Sequence, residues 1–461
     1  MGKLPARRLE LIEFKVSDFF YPIDLAQTYL LLRQSEHWSQ AQVETYQRAK
    51  LAALLRHCIV NVPYYRGHFQ RAGMDAGAIR AENALACLES LPILDKDILR
   101  ETPDLFTARN AGRFNAKALQ TSGTTGTPLT IYWDRGSNVM EFCCIQRLWR
   151  WAGFRIGQPF LDLRSRLLSD DEPRLIRDGD ARYLRNWKVN GLEFNADSIN
   201  ESNVEAYYGV LLRYRPCLVR GHPQAIQYLA ALLRSKALTG WRPTAVTTAS
   251  EALYDFQRRE IEEAWGVAVL DSYGLREHNV FIAQCPEGSY HVSPEYGICE
   301  ILDDDWKPVK PGREGWIIAT GLHNYAQPLL RYNTRDRAIA AGGGRTCTCG
   351  RTLPVIERIV GRIDDCLRTR DGRRYSGMSF AFFGRRGIRK ARLVQESFET
   401  VTVQLVVTPD FDERESALLL EALERKVDHK IKFRPRIVDD IVQETSGKFK
   451  FVVSRLDRTD V

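Results

Sequence analysis

From Pro216 to Asp271 short apolar runs alternate with amphipathic stretches, and this alternation limits the architecture more than any other feature of the chain. Pro216-Cys217-Leu218-Val219-Arg220 reads as a strand, and a helix from Pro223 to Lys236 follows it. Ala245-Val246-Thr247-Thr248, a helix from Tyr254 to Trp265 and the run Ala268-Val269-Leu270-Asp271 continue the series. A strand–helix–strand rhythm requires crossover helices packed on a sheet. It predicts an α/β fold with a mostly parallel sheet over about 115–340.

The two ends differ from this middle. Residues 10–80 read as helices with short breaks, one of them over Tyr46 to His57 with Leu51, Leu54 and Leu55 on one face. Asn61-Val62-Pro63-Tyr64-Tyr65 stops that helix. In the tail, Arg392 to Glu396 and Val401 to Val407 read as strands around a turn, Glu413 to Lys430 as a helix, and Lys432 to Val438 as a further strand. This is a small α+β unit, whose boundary falls near Gly361 to Asp365. The expected division is a large domain over 1–362 and a small one over 363–461.

Composition excludes several classes. Hydrophobic residues at 44% and charged residues at 27% are globular values, so coiled coil, collagen and whole-chain disorder are excluded. The net charge of +8 over 461 residues is mild. It suits an anionic small molecule and does not by itself imply nucleic-acid binding, which needs a clustered basic face. No apolar run approaches the roughly 18 residues of a membrane span. Met1 to Ala6 lacks the apolar core of a signal peptide, and Ala6 stands where a myristoylated Gly2 would want Ser or Thr. Ten cysteines in such a chain are expected to be reduced, in the cytoplasm, with Cys143, Cys144, Cys217 and Cys299 in apolar surroundings.

The motif that points most directly to chemistry is Thr121-Ser122-Gly123-Thr124-Thr125-Gly126-Thr127-Pro128. Its glycines allow close backbone approach, and its hydroxyls and N–H groups can surround phosphate oxygens. It has no lysine of the common nucleotide-triphosphate loop. A hydroxyl-rich hairpin turn between Ala118–Gln120 and Leu129–Tyr132 is the alternative.

This loop resembles the phosphate loop of the acyl-adenylate-forming ligases, and four later motifs follow in the order of that superfamily. Ser272-Tyr273-Gly274-Leu275-Arg276-Glu277 is similar to its aromatic-Gly-x-x-Glu segment, and Arg331-Tyr332-Asn333-Thr334-Arg335-Asp336 to the segment whose aspartate holds the ribose. Gly361-Arg362-Ile363-Asp364-Asp365 is similar to the hinge, and Thr445-Ser446-Gly447-Lys448 to the C-terminal lysine motif. Asn61 to Tyr65 and Leu91-Pro92-Ile93-Leu94-Asp95-Lys96 resemble the phenylacetate–CoA ligase-like branch, which includes polysaccharide-cluster homologues.

The resemblance implies a large, multi-subdomain adenylate-forming domain and a small mobile α+β domain. It implies ATP and Mg²⁺ as cofactors, formation of an acyl-AMP from a carboxylate, and transfer of the acyl group to a thiol or an amine. Lys448, Glu277 and Thr125 carry catalysis in this reading. Thr121, Ser122, Gly123, Thr124, Gly126 and Thr127 hold phosphates, Ser250 and Glu251 lie on the adenine side, and Ser272, Tyr273, Gly274, Asp336 and Arg362 complete the nucleotide site.

Chemistry agrees with these roles. Glu277 offers a hard oxygen to Mg²⁺, Asp336 can accept two ribose hydroxyls, and Lys448 can neutralise oxygens converging at the α-phosphate. The plainer alternatives are a surface carboxylate for Glu277, a core aromatic for Tyr273 and one more basic tail residue for Lys448. For Asp336 the alternative is an ion pair with Arg331, Arg335 or Arg337. Asp364 is the expected pivot on which the small domain swings between half-reactions, or else part of an ordinary surface turn.

A second constellation is independent of nucleotide. Cys285-x5-His291 and Cys347-Thr348-Cys349 supply three thiols and an imidazole, a closed ligand set for structural Zn²⁺. Cys-x-Cys is tighter than usual zinc spacing, and four unconnected loop residues are the alternative.

The substrate pocket is expected to draw on Tyr132, Trp133, the Val139–Arg150 helix and His222, although a histidine so placed is more often structural. A homodimer is compatible with this reading. Two departures stand out. Arg335 replaces a glycine common elsewhere in the superfamily, although the phenylacetate branch tolerates arginine there. Thr369 to Ser376 forms a charged hairpin where CoA ligases of the family have a Gly-rich segment lining the pantetheine tunnel. Adenylation is therefore better supported than thioester formation with CoA. AMP transfer to a hydroxyl and a non-catalytic nucleotide-binding role are the alternatives.

Overall fold

The computed structural model describes residues 22–120, 130–164, 172, 175–187, 189–251, 253, 255–342, 347–362, 367–370, 374–375, 378–382, 387–409, 411–427, 429–441 and 451–456. By packing, the chain divides into two compact units, one of residues 1–250 with 261–359 and the other of residues 251–260 with 360–461.

The first unit opens with helices α1 (Pro22–Ser35), α2 (Gln40–Asn61), α3 (Pro63–Arg71), α4 (Ala84–Glu89), α5 (Lys96–Glu101) and α6 (Pro103–Phe106). Ser39 starts α2 with a reciprocal capping box to Gln42, satisfying two donors that would otherwise be orphaned. Pro63 sits at the start of α3, where its missing N–H costs nothing. Leu51, Leu54, Leu55 and Cys58 pack with Tyr65, Phe69 and Phe106 into one core cluster that also takes in Tyr332.

Strands β1 (Lys117–Gln120) and β2 (Thr130–Trp133) form an antiparallel hairpin, with Gln120 opposite Thr130. Helix α7 (Arg135–Trp151) follows, then β3 (Phe160–Arg164), β4 (Leu175–Asp178), β5 (Ala181–Asn186) and β6 (Gly191–Asn195). The alternating stretch gives α8 (Val204–Tyr214), β7 (Leu218–Gly221), α9 (Pro223–Ser235), β8 (Ala245–Thr248), α10 (Asp255–Trp265) and β9 (Val269–Gly274). Among the described residues strands follow: β10 (Phe281–Gln284), β11 (Tyr290–Val292), β12 (Gly297–Leu302), β13 (Glu314–Gly321), β14 (Tyr332–Ala340) and β15 (Val355–Arg362).

Among the described residues thirteen of these strands join in the order β12-β13-β14-β15-β11-β10-β9-β8-β7-β3-β6-β5-β4. The expectation of a mostly parallel sheet needs correction. Among the described residues of this sheet parallel pairing is seen along β6-β3-β7-β8-β9, and β5 on one side and β10 on the other pair antiparallel with it. Among the described residues no α-helix lies between α10 and β15, and β10 joins β11 through a turn from Cys285 to Ser289. A turn of that length can only reverse the chain, whereas a parallel neighbour needs a crossover of about a dozen residues.

The second unit holds β16 (Leu367–Arg368), β17 (Arg374–Tyr375), β18 (Ile388–Gln395), β19 (Thr400–Val407), α11 (Glu413–Lys426), β20 (Lys432–Ile437) and β21 (Val452–Ser454). β16 and β17 pair antiparallel within the charged segment, and the other four strands form a sheet in the order β20-β19-β18-β21. Helix α11 stops at Lys426 rather than Lys430, because Val427 caps it and His429 takes a left-handed φ of 57°. Leu419, Leu423 and Val427 bury its inner face against Val401, Val403 and Leu405 of the sheet.

Candidate functional site

The site is built where the parallel strands end, the position at which open α/β sheets take ligands. Thr248 at the end of β8 donates from Oγ1 to Asp271 Oδ1 at 2.6 Å, and the Tyr290 hydroxyl donates to Asp271 Oδ2 at 2.9 Å. Ser272 Oγ donates back to the carbonyl of Thr248 at 2.9 Å. These bonds lock β8 to β9 just before Tyr273 and Gly274. Ser250 follows β8 with a left-handed φ of 72°, and Glu251 belongs to the second compact unit.

Tyr273 and Asp336, 63 positions apart, meet directly: the tyrosine hydroxyl donates to Asp336 Oδ2 at 2.7 Å. Their strands β9 and β14 are four places apart in the sheet order. A flat sheet would hold them roughly 19 Å apart, at about 4.8 Å per strand. The sheet therefore curls strongly here, and this brings the two motifs together. The three arginines around Asp336 make their ion pairs elsewhere: Arg331 with Glu300, Arg335 with Asp95 and Asp97, and Arg337 with Glu314 and Asp304. Burial, followed by the Asp336 charge, holds the Tyr273 phenol well above its ordinary pKa, so it stays a donor.

Glu277 is 4% exposed, not a surface carboxylate. Its Oε1 accepts from Lys96 Nζ at 3.0 Å and from the Tyr332 hydroxyl at 2.8 Å. Burial pushes its pKa up, but the Lys96 charge and these two donors outweigh that, leaving it below the usual glutamate value. A buried, ionised carboxylate is the donor type that Mg²⁺ takes, so the residue fits that ion.

Next to it, His278 adopts a left-handed φ of 53° and stacks on Trp133, with ring centroids 4.0 Å apart and planes at 14°. Trp133 Nε1 also donates to the carbonyl of Arg276. The expected pocket strand β2 is thereby fastened to the Glu277 loop. Tyr132 is held by its backbone, its N–H donating to Gln327 Oε1 at 3.0 Å and its carbonyl accepting from Asn324 Nδ2 at 2.7 Å. His222 is the residue before α9, half-buried. Trp149 and Trp151 are buried core side chains of α7.

Several expected residues lie outside the described ones: Thr121, Ser122, Gly123, Thr124, Thr125, Gly126, Thr127, Asp364 and Lys448. Arg362 is the last residue of β15.

The cysteine–histidine set converges. The ligating atoms of Cys285, His291, Cys347 and Cys349 all lie within 4.8 Å of one another. Cys285 Sγ is 3.6 Å from Cys347 Sγ, and Cys349 Sγ is 3.4 Å from His291 Nε2. Tetrahedral zinc with Zn–S bonds near 2.3 Å spaces its sulfurs by roughly 3.8 Å, so these separations fit that ion. His291 Nδ1 lies 3.2 Å from the carbonyl of Leu353, an outer contact that leaves Nε2 as the ligand. Within the chain Cys285 and His291 flank the β10–β11 turn, and Cys347 and Cys349 lie in the loop before β15.

The roles of Lys96 on Glu277, of Tyr332 on the same oxygen and of His278 on Trp133 escape a linear reading. Lys96 stood inside a recognisable segment, but nothing in sequence joins it to a residue 181 positions later.

Residues 371–455 match the CapK C-terminal domain family. The chain is 26% identical to a phenylacetate-coenzyme A ligase of Thermus thermophilus over 345 residues, covering 71% of this chain and 74% of that protein. It is 22% identical to a phenylacetate-coenzyme A ligase of Aromatoleum evansii over 454 residues, covering 92% and 97%. Among solved structures, 2-hydroxyisobutyryl-CoA ligase in the postadenylation state, in complex with 2-HIB-AMP, superposes with a TM-score of 0.69. That match has 17% identity and covers 93% of this chain and 92% of that one, a likeness of fold. No helix of the described residues is long and apolar enough to cross a membrane.

Proposed function

We propose that this chain, which belongs to the acyl-adenylate-forming superfamily in its phenylacetate–CoA ligase-like branch, is an ATP-dependent ligase that activates a carboxylate as acyl-AMP. One observation carries the reading. Tyr273 and Glu277 lie on one short segment, and the distant strand β14 meets both, through Asp336 with Tyr273 and through Tyr332 with Glu277, which supports a nucleotide site there. The relatives named for phenylacetate-coenzyme A, and a neighbour that holds 2-HIB-AMP, support it.

In this reading Asp336 accepts hydrogen bonds from the ribose hydroxyls of ATP and Tyr273 flanks the adenine. Thr121 to Thr127, with Thr125 among them, surround the phosphates. When bound through Glu277, Mg²⁺ supplies charge neutralisation at the phosphates. The carboxylate oxygen attacks the α-phosphorus in line, the bond to the bridging oxygen breaks, and pyrophosphate leaves with that electron pair. Lys448 offsets the charge that gathers on the entering and α-phosphate oxygens. The enzyme contributes alignment and a preorganised field rather than a covalent bond of its own.

The acyl group then passes to a thiol. The charged β16–β17 segment stands where the family's Gly-rich pantetheine segment is expected, so it supports the adenylation step more than CoA as that thiol. Cys285, His291, Cys347 and Cys349 hold a structural zinc ion apart from this chemistry.

Product mass tests the reading. Incubation with ATP, Mg²⁺, a panel of aromatic and aliphatic acids and CoA should yield AMP, pyrophosphate and, for one acid class, an acyl-AMP or thioester mass. ADP and phosphate as products, or AMP attached to a hydroxyl compound, would refute it.

A further inference from the structure

The segment Leu94-Asp95-Lys96-Asp97 touches both halves of the nucleotide site. Leu94 pairs with the start of β14: its N–H donates to the carbonyl of Arg331 at 2.9 Å, and the N–H of Asn333 donates to the carbonyl of Leu94 at 2.9 Å. Helix α5 begins there, with Asp95 capping the N–H of Asp97 at 2.8 Å. Lys96, first in the helix, reaches Glu277 with its side chain 17% exposed. Asp95 and Asp97, on either side of it, both bind the guanidinium of Arg335. Arg335 has a left-handed φ of 63°, which a glycine adopts freely and an arginine only at a cost. The two carboxylates anchor its side chain, and the next residue is Asp336.

We infer that the start of α5 is a positioning clamp for the nucleotide site, in which Lys96 aims Glu277 at the metal and Asp95 with Asp97 fixes Arg335 so that Asp336 faces the ribose. The Lys96 and Tyr332 bonds converge on Oε1 of Glu277, so Oε2 is the oxygen the clamp offers to a cation. One ammonium thus orients the carboxylate on the metal side, while its two neighbours hold the turn on the ribose side. Lys96 acts through Glu277 and is a positioning residue, not a catalytic one. The inference rests on the adenylation reading, since it assigns Glu277 to the metal that accompanies ATP.

Calorimetry with the non-hydrolysable α,β-methylene-ATP, in Mg²⁺ or in EDTA, tests it on the full chain. Wild type should bind the analogue more tightly with Mg²⁺. In Lys96→Met that Mg²⁺-dependent gain should fall about tenfold or more, with binding in EDTA within about twofold of wild type. Lys96→Arg should restore most of the gain. A purely structural lysine would change both conditions together or neither. If Lys96→Met fails to fold, Tyr332→Phe removes the other bond to the same oxygen without a change in charge and should show the same selective loss. A full Mg²⁺ gain in either folded variant overturns the clamp alone. Absence of any Mg²⁺ gain in wild type overturns the assignment of Glu277 beneath it.

Discussion

Glu295 is fully buried, and its charge is answered from several sides. Arg147 Nη1 donates to its Oε1 at 3.1 Å, Nη2 reaches its Oε2 at 3.4 Å, and Ser35 Oγ donates to Oε1 as well. Arg147 Nη2 also donates to Ser293 Oγ at 2.6 Å. Such a pair adds little over apolar packing, but removing one partner strands the other charge out of water. Glu295→Ala should therefore lower stability by about 3–5 kcal/mol in urea unfolding. Glu295→Ala with Arg147→Met should recover a large part of that loss. Equal, additive losses would mean the two charges are not coupled. The same logic separates what a single residue discloses in sequence from what it does not. Glu277 and Asp336 carry recognisable chemistry beside recognisable neighbours. Glu295 carries none, since a glutamate is ordinarily solvated and only the fold encloses this one.

At the level of elements, the strands and helices from Leu218 to Gly274 were legible because apolar spacing and Gly–Pro punctuation agree there. The antiparallel strands after β9 leave a weaker signal, because a three-residue strand such as Tyr290–Val292 is too short to show periodicity. The curl of that sheet is invisible to local pattern altogether, yet it unites Tyr273 with Asp336. The cysteine–histidine set was legible as residue types, while its convergence depends on β11 and β15 being sheet neighbours. Zinc there would tie the β10–β11 turn to the loop before β15. Elemental analysis of protein purified without chelator should give one zinc per chain. The double variant Cys347→Ser, Cys349→Ser should lose it and melt about 5 °C or more lower. Metal-free wild type with an unchanged melting temperature would show that the four residues merely pack together.

For the whole molecule, the chain divides into two compact units, and the CapK C-terminal family match at 371–455 falls within the smaller, which also takes in residues 251–260. Five motifs in a fixed order carry the resemblance to the superfamily, because adenylation would need phosphate, metal, ribose and lysine contacts from separate places on the chain. The identity of the acid was not readable, since the expected pocket residues Tyr132, Trp133 and His222 lie on separate segments and no single segment defines a pocket shape. The central claim is that this chain forms an acyl-adenylate, and carboxylate-dependent exchange of labelled pyrophosphate into ATP tests it most directly. Wild type should show exchange with one class of acid and none without acid. Glu277→Gln and Lys448→Ala should each reduce it by about 10²-fold or more. Confirmed ATP binding with no exchange for any acid, or exchange unaltered in both variants, would contradict the account.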